Sequence, residues 1–259
     1  MNVMVSAARK AGRSLNRDFG EVENLQVSVK GPGNFVSAAD HRAEKIIYEE
    51  LSKAREGYGF LMEESGVVEG ADKTHRWIVD PLDGTTNFLH GIPIYNISIG
   101  LEREGQMVAG VVYNPAMDEM YTAEKGKGAF LNDRRLRVAG RKSLIECVIA
   151  TGSPHSTAKV HDAFLAEARA VMNQVASFRR FGAAALDLCY VASGRIDGFW
   201  ERNLQPWDMA AGILMVREAG GFVTDMAGGN DMFGSFNVVA GNAFVHKSLL
   251  GLIGDKTGG

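Results

Sequence analysis

The sequence predicts an α+β chain whose second half changes to alternating α/β. Three observations predict it. Apolar residues make up 46% and charged residues 23% of 259 residues, a balance that can bury a core and does not suit disorder. The first half carries short strand patterns in close succession, with a hairpin signal at Glu104-Gly105. The second half alternates helix-length with strand-length apolar runs.

The opening segment sets Met4, Ala7, Ala8, Ala11 and Leu15 at helical spacing. A second helix follows Ser37, with Ala43, Ile46, Ile47, Leu51 and Ala54 on one stripe and charge on the other face. Tyr58–Met62 and Arg76–Asp80 read as strands. Ile94–Arg103 and Gln106–Asn114 read as the arms of the hairpin, and Met120–Thr122 and Gly128–Leu131 as further strands. Beyond them Cys147–Thr151 reads as a strand, Lys159–Asn173 as a helix and Ala183–Ala192 as an apolar helix. Ile196–Trp200 reads as a strand, Trp207–Ala219 as a helix and Phe236–Ala240 as a strand. At ~150 residues per domain, the length fits one domain in two intimate halves. The loop residues of Arg134–Ser143 divide them, at about 1–140 and about 141–259.

Lys and Arg number 28 and Asp and Glu 31, for a net charge of −3. That leaves no basic field for gripping nucleic acid, so charge does not support a nucleic-acid or transcription-machinery partner. A local basic run, Arg134, Arg135, Arg137, Arg141 and Lys142, with Arg179-Arg180, reads first as solvated loop and strand edge. Cys147 and Cys189 lie far apart and form neither a disulfide framework nor a zinc site; two buried thiols in a reducing cytosol is the plain reading. Arg9, Lys10, Arg13 and Arg17 interrupt the N-terminal segment, which does not read as a signal peptide. The charge-free stretch from Gly84 to Leu101 is too polar for a membrane span. The histidines show no metal-binding pairing.

The most informative segment is Trp77 to Phe88, WIVDPLDGTTNF. An apolar strand runs into Asp80, then Pro81, then Asp83, then Gly84-Thr85-Thr86. Two like charges a few ångströms apart repel. A divalent cation is the simplest way to keep both ionised, and oxygen ligands suit a hard ion such as Mg²⁺ or Mn²⁺. Gly84-Thr85-Thr86 offers backbone N–H groups and hydroxyls at a helix start, a phosphate cradle. An isolated Asp-x-x-Asp-Gly is equally a plain acidic turn. Two further features weigh against that. Glu63 ends the Tyr58–Met62 run and reaches Asp80 if the two strands are neighbours. Asp208 is the one acid in the otherwise apolar segment from Trp207 to Val216, and a buried acid needs a partner. A haloacid dehalogenase type of phosphatase would use Asp-x-Asp on one strand face. Here Pro81 and Leu82 separate the acids, and Pro81 is expected to supply a turn.

Glu63-Glu64-Ser65, the 77–88 motif and Trp207-Asp208-Met209-Ala210-Ala211-Gly212, continuing to Glu218-Ala219-Gly220-Gly221, resemble the inositol monophosphatase family of Mg²⁺-dependent phosphatases. The resemblance spans nearly the whole chain and looks closest to bacterial members. Met62 stands where many members have Gly. The resemblance implies a layered αβαβα sandwich, a cytoplasmic homodimer and lithium sensitivity. It implies metal ligands at Glu63, Asp80, Asp83 and Asp208 and at the Leu82 carbonyl, for two or three Mg²⁺ ions with Mn²⁺ as a substitute. It implies catalytic roles for Asp40, Glu63 and Thr85, with Thr85 and Asp40 orienting the attacking water. Gly84, Thr85 and Thr86 would hold phosphate. Glu201, the backbone near Ala184, Asp83 and Asp208 would face the rest of the substrate. Lys30 would sit on a loop near the metals, beside Gly31-Pro32-Gly33.

The activity implied is hydrolysis of a phosphate monoester, myo-inositol monophosphate foremost, by metal-activated water. Thr85-Thr86-Asn87-Phe88 is similar to the inositol type. Fructose 1,6-bisphosphate, histidinol phosphate, NADP and phosphoadenosine phosphate remain alternatives. So does a mainly regulatory role associated with RNA processing.

Overall fold

Strand-forming residues from 58 to 135 build the largest of the sheets found among the described residues. In order they are β3 (Tyr58–Met62), β4 (Gly66–Val68), β5 (Asp72–Asp83), β6 (Asn96–Arg103), β7 (Gln106–Asn114), β8 (Glu119–Glu124), β9 (Gly128–Leu131) and β10 (Arg134–Arg135). The sheet runs β10-β9-β8-β7-β6-β5-β3-β4. Only β3 and β5 pair in parallel. The computed structural model describes residues 1–19, 27–31, 34–154 and 158–253.

Two helices, α1 (Asn2–Phe19) and α2 (Ala38–Ala54), bury Met4, Ala7, Leu15, Ile47 and Leu51 against one face of this sheet. Between them lies a short hairpin, β1 (Val27–Gly31) with β2 (Asn34–Ser37). The second sheet comprises β11 (Val148–Thr151), β12 (Ser177–Arg179), β13 (Gly198–Arg202), β14 (Phe222–Thr224) and β15 (Asn237–Gly241). Its order is β12-β11-β13-β15-β14. Helices α5 (Ala184–Ala192) and α6 (Pro206–Glu218) fill the space between the sheets, in one core with Val112, Tyr121, Phe199 and Val238. On the outer face, α4 (Ala158–Met172) and α8 (Ala243–Ile253) pack against Ile149, Trp200 and Val239. Short helices α3 (Thr85–Leu89) and α7 (Met232–Ser235) and a 3-10 turn at Leu144–Glu146 are also present. The layers are therefore α, β, α, β, α. The middle helices are apolar on all sides because sheets cover both of their faces.

Several boundaries differ from the sequence reading. The strand expected at Arg76–Asp80 runs from Asp72 to Asp83. The hairpin arm expected from Ile94 begins at Asn96. The strands expected at Ile196–Trp200 and Phe236–Ala240 are Gly198–Arg202 and Asn237–Gly241. Phe236 has a left-handed φ of 55°, which keeps it out of the last strand.

Cross-sheet polar contacts hold the layers in register. Arg195, after α5, donates to Glu119 at 2.7 Å and to the Tyr121 hydroxyl at 3.0 Å. The Glu218 carboxylate accepts the backbone N–H groups of Gly126 and Gly128, each at 2.8 Å. Where the sequence places a dividing loop, Leu136 N–H donates to Ala129 and Val138 N–H to Ala219. Asn242 then holds the carbonyls of Ala139 and Arg141, both at 2.8 Å. Among the described residues, no helix is long and apolar enough to cross a membrane.

Candidate active site

The site begins at the end of β5. Residues 77–82 are buried in succession, so Asp80 is carried inward by its apolar neighbours. Against β6, Asp80 pairs with Ser98 and Asp83 with Asn96. Three residues of β5 thus span two of β6, a β-bulge. In a regular strand, residues three apart face opposite sides. The extra residue returns Asp83 to the side of Asp80. The acids meet within the strand, and the turn expected from Pro81 does not occur.

The parallel pairing of β3 with β5 brings in Glu63. Met62 sits opposite Val79, and Glu63 N–H donates to the Val79 carbonyl at 3.1 Å. The Glu63 side chain bonds to Asp80. After Asp83 the chain turns into α3 through Gly84, whose φ of 86° is left-handed. A Cβ there would stand 2.9 Å from the Ile94 carbonyl, so both conformation and space require glycine. Thr85 and Thr86 open α3. The Thr85 hydroxyl lies 3.0 Å from the Leu82 carbonyl and 3.3 Å from Asp40 Oδ1. Asp40, on α2, is 1% exposed.

The second half closes the site. Asp208, in the first turn of α6, accepts the Gln205 N–H at 2.7 Å. It therefore caps its helix and faces the other acids at once. Asp83 Oδ2 accepts Asn96 Nδ2 at 2.7 Å and the Ala185 N–H at 2.9 Å. The start of α5, near Ala184, is thus bonded to Asp83. Glu201, on β13, fills the space above Gly152, where a Cβ would stand 1.7 Å from its Oε1. Lys30 lies in β1, and its side chain is outside those described, as are Pro32 and Gly33.

The electrostatics are those of anions crowded together. Asp80 is 2% exposed. Burial raises its pKa well above the ordinary carboxylate range, and Glu63, Asp83 and Asp208 push it further. Burial, with Asp83 and Glu63 behind it, does the same to Asp208. Burial lifts Asp83 to about 6, against the pull of Asn96 and the Ala185 N–H. Burial, Asp208 and Asp83 lift Glu201 to about 8, and Arg180 opposes them.

Carboxylates, buried at Asp80 and half-buried at Glu63, Asp83 and Asp208, repel one another and fit a divalent cation in the donor chemistry they offer. All the donors are oxygens, which suits a hard ion. Among the described residues, no three His, Cys, Asp or Glu side chains stand in a ready-made group that would hold a metal ion.

Three further residues belong to this region. Asn96 holds Asp83. Glu44, 3% exposed on α2, accepts the Glu64 N–H at 2.9 Å. Asp187, 1% exposed on α5, has no hydrogen-bond partner on either carboxylate oxygen. Burial raises its pKa, with Glu201 and Asp83 adding to the effect. One acid in an apolar helix is the signal that marked Asp208, and Ala183–Ala192 carries the same signal.

A five-layer sandwich with an oxygen-only acid cluster beside a helix start defines a class, the metal-dependent phosphoric monoester hydrolases. The chain belongs to the inositol monophosphatase family, whose model matches residues 1–256. It is 67% identical over 250 residues to an inositol-1-monophosphatase of Mesorhizobium japonicum, covering 96% of this chain and 94% of that one. A crystal structure of extragenic suppressor protein suhB from Bartonella henselae matches with a TM-score of 0.96 and 64% identity, over 99% of this chain and 98% of that one. Nus factor SuhB of Escherichia coli is 41% identical over 256 residues, covering 99% of this chain and 96% of that one. The chain is thus a phosphatase of a family that acts on phosphorylated small metabolites and depends on metal.

Proposed function

We propose that this chain hydrolyses myo-inositol monophosphate to inositol and phosphate, with Mg²⁺ as cofactor. The observation that carries the reading is Asp80, buried where the charged groups acting on it most strongly are other acids. Glu63, Asp80, Asp83, Asp208 and the Leu82 carbonyl would hold two or three Mg²⁺ ions, with Mn²⁺ as a substitute. When bound, the cation supplies Lewis acidity toward the phosphoryl group and toward water.

The chain's own residues do the rest. Asp40 and Thr85 form a short relay at 3.3 Å. A Thr85 hydroxyl that donates its hydrogen bond to Asp40 keeps lone pairs that accept a hydrogen bond from water, which orients that water for attack. Glu63, bonded to Asp80, is the further catalytic carboxylate. The first-turn N–H groups at Thr85 and Thr86 have no partner within their helix and, with Gly84, would hold phosphate oxygens. Glu201 would accept from substrate hydroxyls, with the backbone near Ala184 beside it, and Asp83 and Asp208 would face the rest of the substrate. Positioning and charge compensation are most of what phosphoryl transfer needs.

The single unit of two halves meeting near residue 140, the homodimer, the cytoplasmic location and lithium inhibition complete this reading and rest on the resemblance. The test is phosphate release from inositol monophosphate, fructose 1,6-bisphosphate, histidinol phosphate, NADP and phosphoadenosine phosphate, with Mg²⁺ and with chelator. Inositol monophosphate should be fastest and chelation should abolish it. Activity that survives chelation would overturn the reading. The Nus factor name of some relatives supports a second role in RNA processing. Full complementation of a deletion strain by an inactive Asp83→Asn variant would favour that role.

A further inference from the structure

Helix α2 carries two buried acids one turn apart, Asp40 and Glu44, at 1% and 3% exposure. Residues four apart share a helix face. Asp40 meets the Thr85 hydroxyl. Glu44 reaches the turn after β3 instead. Its Oε2 accepts the backbone N–H of Glu64 at 2.9 Å and of Ser65 at 3.4 Å. Its Oε1 accepts the Ser65 hydroxyl. Several bonds onto one carboxylate fix its orientation and, through it, the backbone that donates them.

That backbone is the one that presents Glu63. The Glu63 N–H is tied to Val79 at 3.1 Å on the strand side. Glu44 ties the next two residues on the helix side. The turn is clamped from both directions, with the Glu63 side chain between the clamps. For stability alone this is a costly arrangement, because it buries a third acid beside Glu63 and Glu64. The same bonds could come from a neutral acceptor.

We propose that Glu44 is a positioning residue that holds the Glu63–Ser65 turn so that the Glu63 carboxylate meets the cation. On this account α2 spaces the two limbs of the site, Thr85 through Asp40 and Glu63 through Glu44. The inference rests on Glu63 as a ligand, as proposed above.

The test is calorimetric titration of Mn²⁺ into metal-free protein, for wild type, Glu44→Ala, Glu44→Gln, Ser65→Ala and Glu63→Gln. Outer partners of metal ligands typically govern ~10–100-fold in affinity, and Glu44→Ala should weaken Mn²⁺ binding by that order. Glu44→Gln keeps one acceptor oxygen and should recover part of the loss. Ser65→Ala should lose least. The half-saturating Mg²⁺ concentration in turnover should rise by the same factor, while substrate KM at saturating Mg²⁺ stays put. Wild-type affinity in a folded Glu44→Ala, with binding lost in Glu63→Gln, would overturn the proposal and leave the ligand assignment standing. Wild-type affinity in Glu63→Gln would instead overturn the ligand assignment. If Glu44→Ala does not fold, unchanged affinity in both Glu44→Gln and Ser65→Ala is the overturning result.

Discussion

Asp197 and Asp80 are each 2% exposed, and the molecule treats them in opposite ways. Asp197, before β13, has a cation and a donor of its own. Arg141 Nη1 lies 2.9 Å from one oxygen, and the Val148 N–H lies 2.8 Å from the other. Glu119 with Arg195, and Glu167 with Arg202, follow the same pattern. Asp80 has the Leu82 N–H at 2.9 Å, but its strongest charged neighbours are Glu63, Asp83 and Asp208. A structural acid carries its countercharge within the chain. A working acid leaves its countercharge to be supplied from outside.

The largest effect should come from removing an acid on the working side. Asp83→Asn should cut kcat/KM more than ~100-fold, beyond what loss of an outer-shell partner costs. Circular dichroism should remain that of wild type, and the Tm of metal-free protein should hold or rise because repulsion is relieved. A variant that keeps most of its turnover would break the comparison. On the structural side, Arg141→Ala strands Asp197 and should lower Tm by several degrees, equally with and without Mg²⁺. A loss of Tm that added Mg²⁺ reverses would place Asp197 among the working acids.

A third expectation concerns pH. In metal-free protein, burial holds Asp83 at about 6 and Glu201 at about 8, above the ordinary carboxylate range. Between the unfolded and folded values the folded state binds more protons, so these groups' contribution to stability is full below the unfolded pKa and falls as pH rises through the folded one. Tm of the metal-free protein should therefore fall between about pH 5 and about pH 8, and added Mg²⁺ should raise it more at the higher pH. A Mg²⁺ effect larger at the lower pH would contradict this. The smallest effect is at Gly152. A methyl there displaces the Glu201 carboxylate, which is mobile enough to move without unfolding the chain. Gly152→Ala should raise substrate KM several-fold and leave Mn²⁺ affinity unchanged; a loss of Mn²⁺ affinity would tie Glu201 to the metal side.

Much of the site was legible because like charges near one another need an explanation. Asp80, Asp83 and Asp208 stood out as acids in apolar surroundings. Asp187 carries the same signal in an apolar helix, whereas Glu44 is hidden among the many surface charges of α2. Asn96 could not be found without the register that sets it opposite Asp83. The bulge that returns Asp83 to the side of Asp80 depends on that pairing too, so Pro81 was read as a turn. Strands β12 and β14 have three residues each, too few for a pattern to show. Helix α8 starts after Asn242, whose side chain accepts the Val245 N–H at 2.9 Å, and its run is too short and too apolar for a period to show.

The central claim is that the acid cluster around Asp80 exists to hold divalent cations. Crystals soaked in Mn²⁺ and measured for anomalous scattering test it most directly. Peaks bounded by Glu63, Asp80, Asp83 and Asp208, absent from Asp83→Asn crystals, are the predicted result. Full Mn²⁺ occupancy elsewhere, with no peak among these four acids, would contradict it.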